Sequence, residues 1–180
     1  IDMEAYEREL SARLDPTAAS MHAIFDKVRS NPRRVVFAEG EEEKSIRAAV
    51  SFHNAGYGTP ILLGREDRVL KAMDRLGLPA IDGLEIHNAK LSQSNKDYTD
   101  FLYERLQRQG ALYRDCQRMV KRDRNVFAAC MVATGDADAM VTGLTRNYHV
   151  ALAQISRVLD PDPGAILFGL SLVLAGNRTI

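Results

Sequence analysis

A chain of 180 residues, 46% apolar and 27% charged, has the make-up of a soluble globular protein of one domain or of one domain and part of another, which excludes disordered, collagen-like and low-complexity classes. Lysine plus arginine and aspartate plus glutamate stand at 24 each, so no basic excess is available to hold a nucleic acid or an anionic membrane, and an anionic ligand has to be met locally. The longest apolar run, residues 165–175, is broken by Gly169 and Ser171 and falls far short of the ~20 residues needed to span a bilayer.

The first residues, Ile1-Asp2-Met3-Glu4-Ala5-Tyr6, lack the apolar core of a secretion signal, and a cytoplasmic location follows as the default. Residues 4–14 read as a polar helix ending at Asp15-Pro16, where Asp15 is a candidate N-cap and Pro16 the first residue of a second helix. Met21, Ile24, Phe25 and Val28 give that second helix an apolar face, and Asn31-Pro32 breaks it. From Arg34 onward, short β-rich runs alternate with amphipathic helices. Residues 35–38 predict a strand; the Glu-rich helix after it carries Ile46, Ala49, Val50 and His53 and closes at Gly56. Residues 60–63 predict the next strand, which Gly64 turns into a helix holding Val69, Leu70, Met73 and Leu76 and closing at Gly77. A weaker strand at 84–86 precedes three helical stretches, about 97–109, 112–122 and 125–134. A fourth strand at 139–141 and a helix over 146–159 complete the pattern.

Repeated β–α units joined by short turns predict an α/β three-layer sandwich, a mostly parallel sheet with helices on both faces. Asp160-Pro161-Asp162-Pro163-Gly164 is the strongest breaker, and the apolar Ile166-Leu167-Phe168-Gly169-Leu170 after it reads as the start of a second lobe. The expected division is a helical linker at 1–31, an α/β lobe at 32–160 and a truncated second lobe at 161–180. Lacking an initiator Met and stopping at Asn177-Arg178-Thr179-Ile180, where a β-like segment begins, the chain reads as a piece of a longer polypeptide. Cys116 and Cys130 lie in predicted helices with no CxxC pairing and read as buried, reduced thiols.

In open α/β sheets ligands bind beyond the carboxyl ends of strands, where helix N-termini offer free N–H groups. Three such corners occur. Ala38-Glu39-Gly40-Glu41-Glu42-Glu43-Lys44 is acidic, repels phosphate and reads as helix-start carboxylates on a solvated face. Gly64-Arg65-Glu66-Asp67 sets a guanidinium at a helix start, either as a bidentate phosphate ligand or as a surface arginine. Thr142-Gly143-Leu144-Thr145-Arg146-Asn147-Tyr148-His149 gathers two hydroxyls, a cation, an amide, a phenol and an imidazole in one strand-to-helix turn; helix capping alone would also select such residues. The sequence holds no GxGxxG, Walker, HExxH or GxSxG pattern and no Cys/His metal spacing, and His22, His53, His87 and His149 are scattered. No catalytic residue and no metal ligand is assigned.

Four ordered blocks resemble phosphate acetyltransferases: residues 35–44 their opening strand and turn, 61–64 their second strand, 103–110 a helix ending in glycine, and 137–143 a later strand. In the active enzymes that helix has an arginine where this chain has Leu106, and a second arginine stands where this chain has Val150. Those arginines bind phosphate or CoA there, and an aliphatic side chain offers no donor fork. The wording around 142–148, 157–161 and 176–180 resembles the C-terminal domain of the large NADP-dependent malic enzymes. That resemblance implies a regulatory and oligomerisation domain without acetyltransferase activity, inhibited through acetyl-CoA or a related CoA ester and acting in a homo-oligomer. Its partner is the malate-decarboxylating catalytic domain of the same polypeptide, which brings NADP and a divalent metal, Mg or Mn; the present segment needs no cofactor, nucleic acid or membrane. Thr142, Gly143, Thr145, Arg146, Asn147 and Tyr148 are the expected CoA-ester ligands, with the turn's N–H groups and Arg146 meeting negative charge. An active phosphate acetyltransferase, with Arg105 or Arg146 taking over anion binding, and a purely structural assembly module are the competing readings.

Overall fold

A computed structural model describes residues 6, 16–79, 81–169, 174–175 and 178–179. The chain divides into two compact units, Pro32–Asp160 and a second comprising 1–31 together with 161–180.

In the larger unit the strands β1 (Arg33–Phe37), β2 (Gly58–Leu63), β3 (Glu85–His87) and β4 (Ala139–Val141) form one sheet in the order β3-β2-β1-β4. Every pairing is parallel: Val36 lies opposite Ile61 and Met140, and Leu62 opposite Ile86. The crossovers are α2 (Glu43–Asn54), α3 (Glu66–Arg75), and, between β3 and β4, α4 (Asn95–Leu106), α5 (Tyr113–Arg122) and α6 (Arg124–Thr134). Successive strand residues face opposite sides, and two separate cores result. Val36, Ala38, Ile61 and Leu63 pack with Tyr98 and Leu102 of α4, Cys116 and Val120 of α5, and Val126 to Met131 of α6. Phe37 and Leu62 pack on the other face with Ile46, Ala49 and Val50 of α2 and Val69 and Met73 of α3. The sheet is therefore the middle of three layers, and each fully buried aliphatic side chain contributes roughly 1.5–3 kcal/mol.

The helix faces follow from sequence spacing. Cys116 and Val120 stand one turn apart as the buried edge of α5, whereas α6 is buried at every position from Asn125 to Met131, as expected of the helix nearest the centre of its layer. Both thiols are buried; burial raises their pKa values, that of Cys130 to about 12. Gly58 begins β2 at φ +147°, where a Cβ would lie 1.9 Å from the Arg33 carbonyl oxygen, so only glycine lets β2 start this close to β1.

Two details depart from the sequence reading. Leu70, assigned to the apolar face of α3, is 51% exposed; Val69 and Met73 are the buried anchors of that helix, with Ala72 partly buried beside them. The last helix of the unit, α7 (Tyr148–Ile155), is shorter than the predicted 146–159. Asn147 has extended backbone angles and its side chain accepts a hydrogen bond from the Val150 N–H at 3.0 Å, which fixes the helix start there.

In the smaller unit, α1 (Pro16–Arg29) begins at the expected proline, but Ile24 and Val28 of its apolar face are exposed. Ile166, Leu167 and Phe168 are likewise exposed and outside regular structure. Short strands β5 (Leu174–Ala175) and β6 (Arg178–Thr179) pair antiparallel. The predicted helix at 4–14 and the Asp15 cap lie outside the described residues, apart from Tyr6.

Candidate functional site

The carboxyl ends of β1, β2 and β4 come together at the acidic corner. Gly40 donates its N–H to the Leu63 carbonyl at 3.0 Å, and a Cβ on Gly40 would meet the Leu63 nitrogen at 2.7 Å. That close approach carries Glu39 into the interior, where it is 2% exposed. Its carboxylate faces the turn after β4. Oε2 accepts the N–H groups of Gly143 (3.0 Å) and Leu144 (2.7 Å), and Oε1 accepts the N–H (2.7 Å) and hydroxyl (2.5 Å) of Thr145. Burial alone works against this charge, but the Thr145 hydroxyl and the amides of Leu144, Thr145 and Gly143 outweigh it and hold the carboxyl below its usual pKa.

These bonds decide what the turn is able to do. The N–H groups expected to meet a ligand's negative charge already meet Glu39, so anion recognition by this segment rests on side chains. Thr142 donates its hydroxyl to Asn125 Oδ1 at 2.7 Å, and Asn125 in turn donates its amide to Gln154 Oε1 at 2.7 Å, which satisfies a buried side chain of α6 and ties the turn to α7. Asn147 is the cap of α7. Arg146 sits 3.6 Å from Asp123 Oδ2, a loose ion pair. Tyr148 is 68% exposed, with its ring edge-on to His149. Of the six expected ligand residues, Thr142, Gly143, Thr145 and Asn147 thus build the turn, while Arg146 and Tyr148 present charge and aromatic surface outward.

The other acidic residues of the first corner have separate partners. Glu41 accepts the Arg65 backbone N–H (3.0 Å) and its guanidinium (3.1 and 3.2 Å), with Arg68 at 3.3 Å. The Arg65 hydrogen bond, against the cost of burial, lowers the Glu41 pKa to about 2. Arg65, read from the sequence as a phosphate ligand or a surface cation, is thereby held in one position at the start of α3.

Beside it opens a cavity of about 250 Å³ that sequence reasoning missed. Its walls come from the end of β2 and the start of α3 (Leu63 to Arg65), the turn after β3 (Asn88 to Lys90) and the α5–α6 junction (Lys121, Arg122, Arg124), with Glu41 at the edge. The run Lys121-Arg122-Asp123-Arg124, three cations where one helix ends and another begins, was the available signal. The same junction supplies Asp123 to Arg146 and Asn125 to Thr142. Among the described residues no group of three or more His, Cys, Asp or Glu side chains converges as a metal site would need, and no helix is long and apolar enough to cross a membrane.

Known proteins match this architecture. The NADP-dependent malic enzyme of Rhizobium meliloti (strain 1021) is 50% identical over 181 residues, covering 99% of this chain and 24% of that protein. The probable NADP-dependent malic enzyme of Rickettsia prowazekii (strain Madrid E) is 43% identical over 180 residues, again 99% of this chain and 24% of that protein. The chain thus spans about a quarter of the length of these relatives. The solved EutD phosphotransacetylase from Staphylococcus aureus superposes with a TM-score of 0.80 at 24% identity, over 91% of this chain and 49% of that one, which establishes the phosphotransacetylase fold. Residues 19–180 match the family described as phosphate acetyl/butaryl transferase, and with nearly the whole chain inside that match, it belongs to this family.

Proposed function

We propose that this chain is the C-terminal regulatory and oligomer-forming domain of an NADP-dependent malic enzyme, which oxidatively decarboxylates malate to pyruvate. It binds acetyl-CoA as an allosteric inhibitor and does not transfer acetyl groups. NADP and the divalent Mg or Mn of that reaction are held by a part of the polypeptide beyond these 180 residues.

The observation that carries the loss of transfer chemistry is the pair Leu106 and Val150, aliphatic at the two positions where the resembling transferases use arginine. Leu106 is buried in the larger core and offers no donor to an anion, and Val150 lies on the exposed side of α7. Of the cations that would have to substitute, Arg105 is engaged: it donates to the Arg157 carbonyl at 2.9 Å and pairs with Asp160 at 2.5 Å. That leaves Arg146, 3.6 Å from Asp123, as a single cation where the resembling transferases use two arginines. Much higher identity to malic enzymes than to the superposed transferase supports the same reading.

An inhibitor held on this domain acts by binding one conformational or quaternary state more tightly than another, with a coupling of ~1–3 kcal/mol. Arg146 is its main charged ligand: its partner stands at 3.6 Å, so the guanidinium can leave Asp123 for a phosphate without breaking a short bond. Tyr148 offers its ring beside it. The test is malate oxidation by the complete protein with and without acetyl-CoA, alongside an acetyl-transfer assay and thermal unfolding. Inhibition without transfer, with the unfolding midpoint raised by acetyl-CoA and the inhibition weakened about tenfold in Arg146→Ala, is the expected result. Transfer activity would restore the acetyltransferase reading. An unmoved midpoint with uninhibited oxidation would leave only an assembly role.

A further inference from the structure

We propose that the cavity between the start of α3, the turn after β3 and the α5–α6 junction is an anion site for one or two phosphate groups, separate from the turn at 142–148.

Five cationic side chains, Arg65, Lys90, Lys121, Arg122 and Arg124, line a space of about 250 Å³ with one carboxylate, Glu41, among them. Glu41 is already committed to Arg65 and Arg68. Lys90, Lys121, Arg122 and Arg124 make no ion pair among the described residues, although Arg33, Arg34, Arg47 and Arg105 of the same unit each reach a carboxylate within 3.1 Å. In a chain of zero net charge this is a local choice. Four unpaired like charges gathered in a concave surface repel one another, and a multivalent anion relieves that repulsion while being attracted by each of them.

The geometry supports the same class of ligand. Arg65 is fixed by three hydrogen bonds to Glu41, so one wall of the cavity is ordered before anything binds and loses little freedom on binding. Gly64 lies in that wall, and a Cβ there would come 2.8 Å from Glu41 Cγ; glycine allows Glu41 to fold against the turn and keeps the space open. The cavity falls under the roughly 300–1,000 Å³ typical of sites for drug-sized ligands, which suits a phosphate or diphosphate rather than a whole nucleotide. The groups come either from a free inorganic anion or from the phosphates of a larger molecule whose remainder lies outside.

Isothermal calorimetry with sodium diphosphate on the complete protein at low ionic strength tests the site. We expect saturable binding that weakens about tenfold or more, at least 1.4 kcal/mol, in the Lys121→Ala/Arg124→Ala double variant and stays within about twofold in Arg146→Ala. A Lys90→Ala/Arg122→Ala variant provides a second reading if the first pair unfolds the domain. Absence of saturable diphosphate binding, or equal affinity in a folded double variant, overturns the proposal. Displacement of diphosphate by CoA in the wild type, with CoA affinity itself weakened in the same variants, assigns the phosphates to a CoA-type ligand; diphosphate binding that CoA does not displace assigns the site to a free anion. Because Arg146→Ala reads the acetyl-CoA reading and the Lys121/Arg124 pair reads this cavity, the failure of either leaves the other standing.

Discussion

Replacing Glu39 by glutamine removes one acceptor atom from the centre of the sheet's carboxyl edge. The carboxylate serves four donors, two on each oxygen. Glutamine keeps one oxygen and sets an NH2 in place of the other: on the Oε2 side it faces the Gly143 and Leu144 N–H groups, and on the Oε1 side it faces the Thr145 N–H, while the Thr145 hydroxyl can turn to accept. Hydrogen bonds to a charged group contribute about 1.5–3 kcal/mol each, and the loss of one or two together with the charge on the rest, eased by local relaxation, comes to about 3 kcal/mol. For a unit the size of Pro32–Asp160 that corresponds to a fall in unfolding midpoint on the order of 10 °C, read by circular dichroism. The damage is local as well: the amides of Gly143, Leu144 and Thr145 should lose protection against hydrogen exchange. Since folding lowers the Glu39 pKa, its stabilisation is complete above the ordinary glutamate value of about 4.3 and is lost as pH falls through the folded value. The midpoints of wild type and Glu39→Gln should therefore converge in acid. A variant that melts within about 2 °C of wild type at neutral pH, with unchanged exchange at 143–145, would refute the claim that this carboxylate builds the turn.

Glu41 follows the same sign: with its carboxyl lowered to about 2 by Arg65, it stabilises fully above about 4.3, and the Glu41→Gln stability gap should narrow between those values in urea titrations. Because Arg65 and Arg68 face water, that gap is about 1 kcal/mol at pH 7. Gly40→Ala drives a methyl group to 2.7 Å from the Leu63 nitrogen and 2.8 Å from its oxygen, backbone atoms that cannot step aside, and should cost about 1–3 kcal/mol in thermal unfolding; Gly169→Ala, with nothing within 4 Å, serves as the neutral control.

The layered fold was legible because its signals are local. Val36 with Phe37 and Ile61 with Leu62 alternate between two cores, and glycines mark the turns between short strands and helices. The acidic corner was not legible in the same way. Glu39, Glu41 and Glu43 read as one solvated helix start, yet only Glu43 acts so, pairing with Arg47 one turn on. Glu41 reaches Arg65, and Glu39 turns inward to amides about a hundred residues away. A carboxylate's fate depends on which donors the chain later brings to it, and no sequence period encodes that. The turn at 142–148 was recognised as a turn, but its free N–H groups were assigned outward because their partner was distant. The basic cavity escaped for the converse reason: Arg65 read as a phosphate ligand or a surface arginine, Lys90 carried no local signal, and only the meeting of three crossovers gathers them with Lys121.

β1 lies between two neighbours that arrive at very different times. Its pairing with β2 closes a short connection, whereas β4 follows about a hundred residues behind. At roughly 5–20 residues per second on the ribosome, the nascent chain waits on the order of 5–20 s with one side of β1 unpaired and the Glu39 carboxylate still without its amides. For that interval the growing polypeptide carries an open strand edge, the kind of surface through which neighbouring nascent chains on one messenger mis-pair, and its charged carboxylate at the end of that edge is the feature best placed to keep it hydrated until its own partner is made.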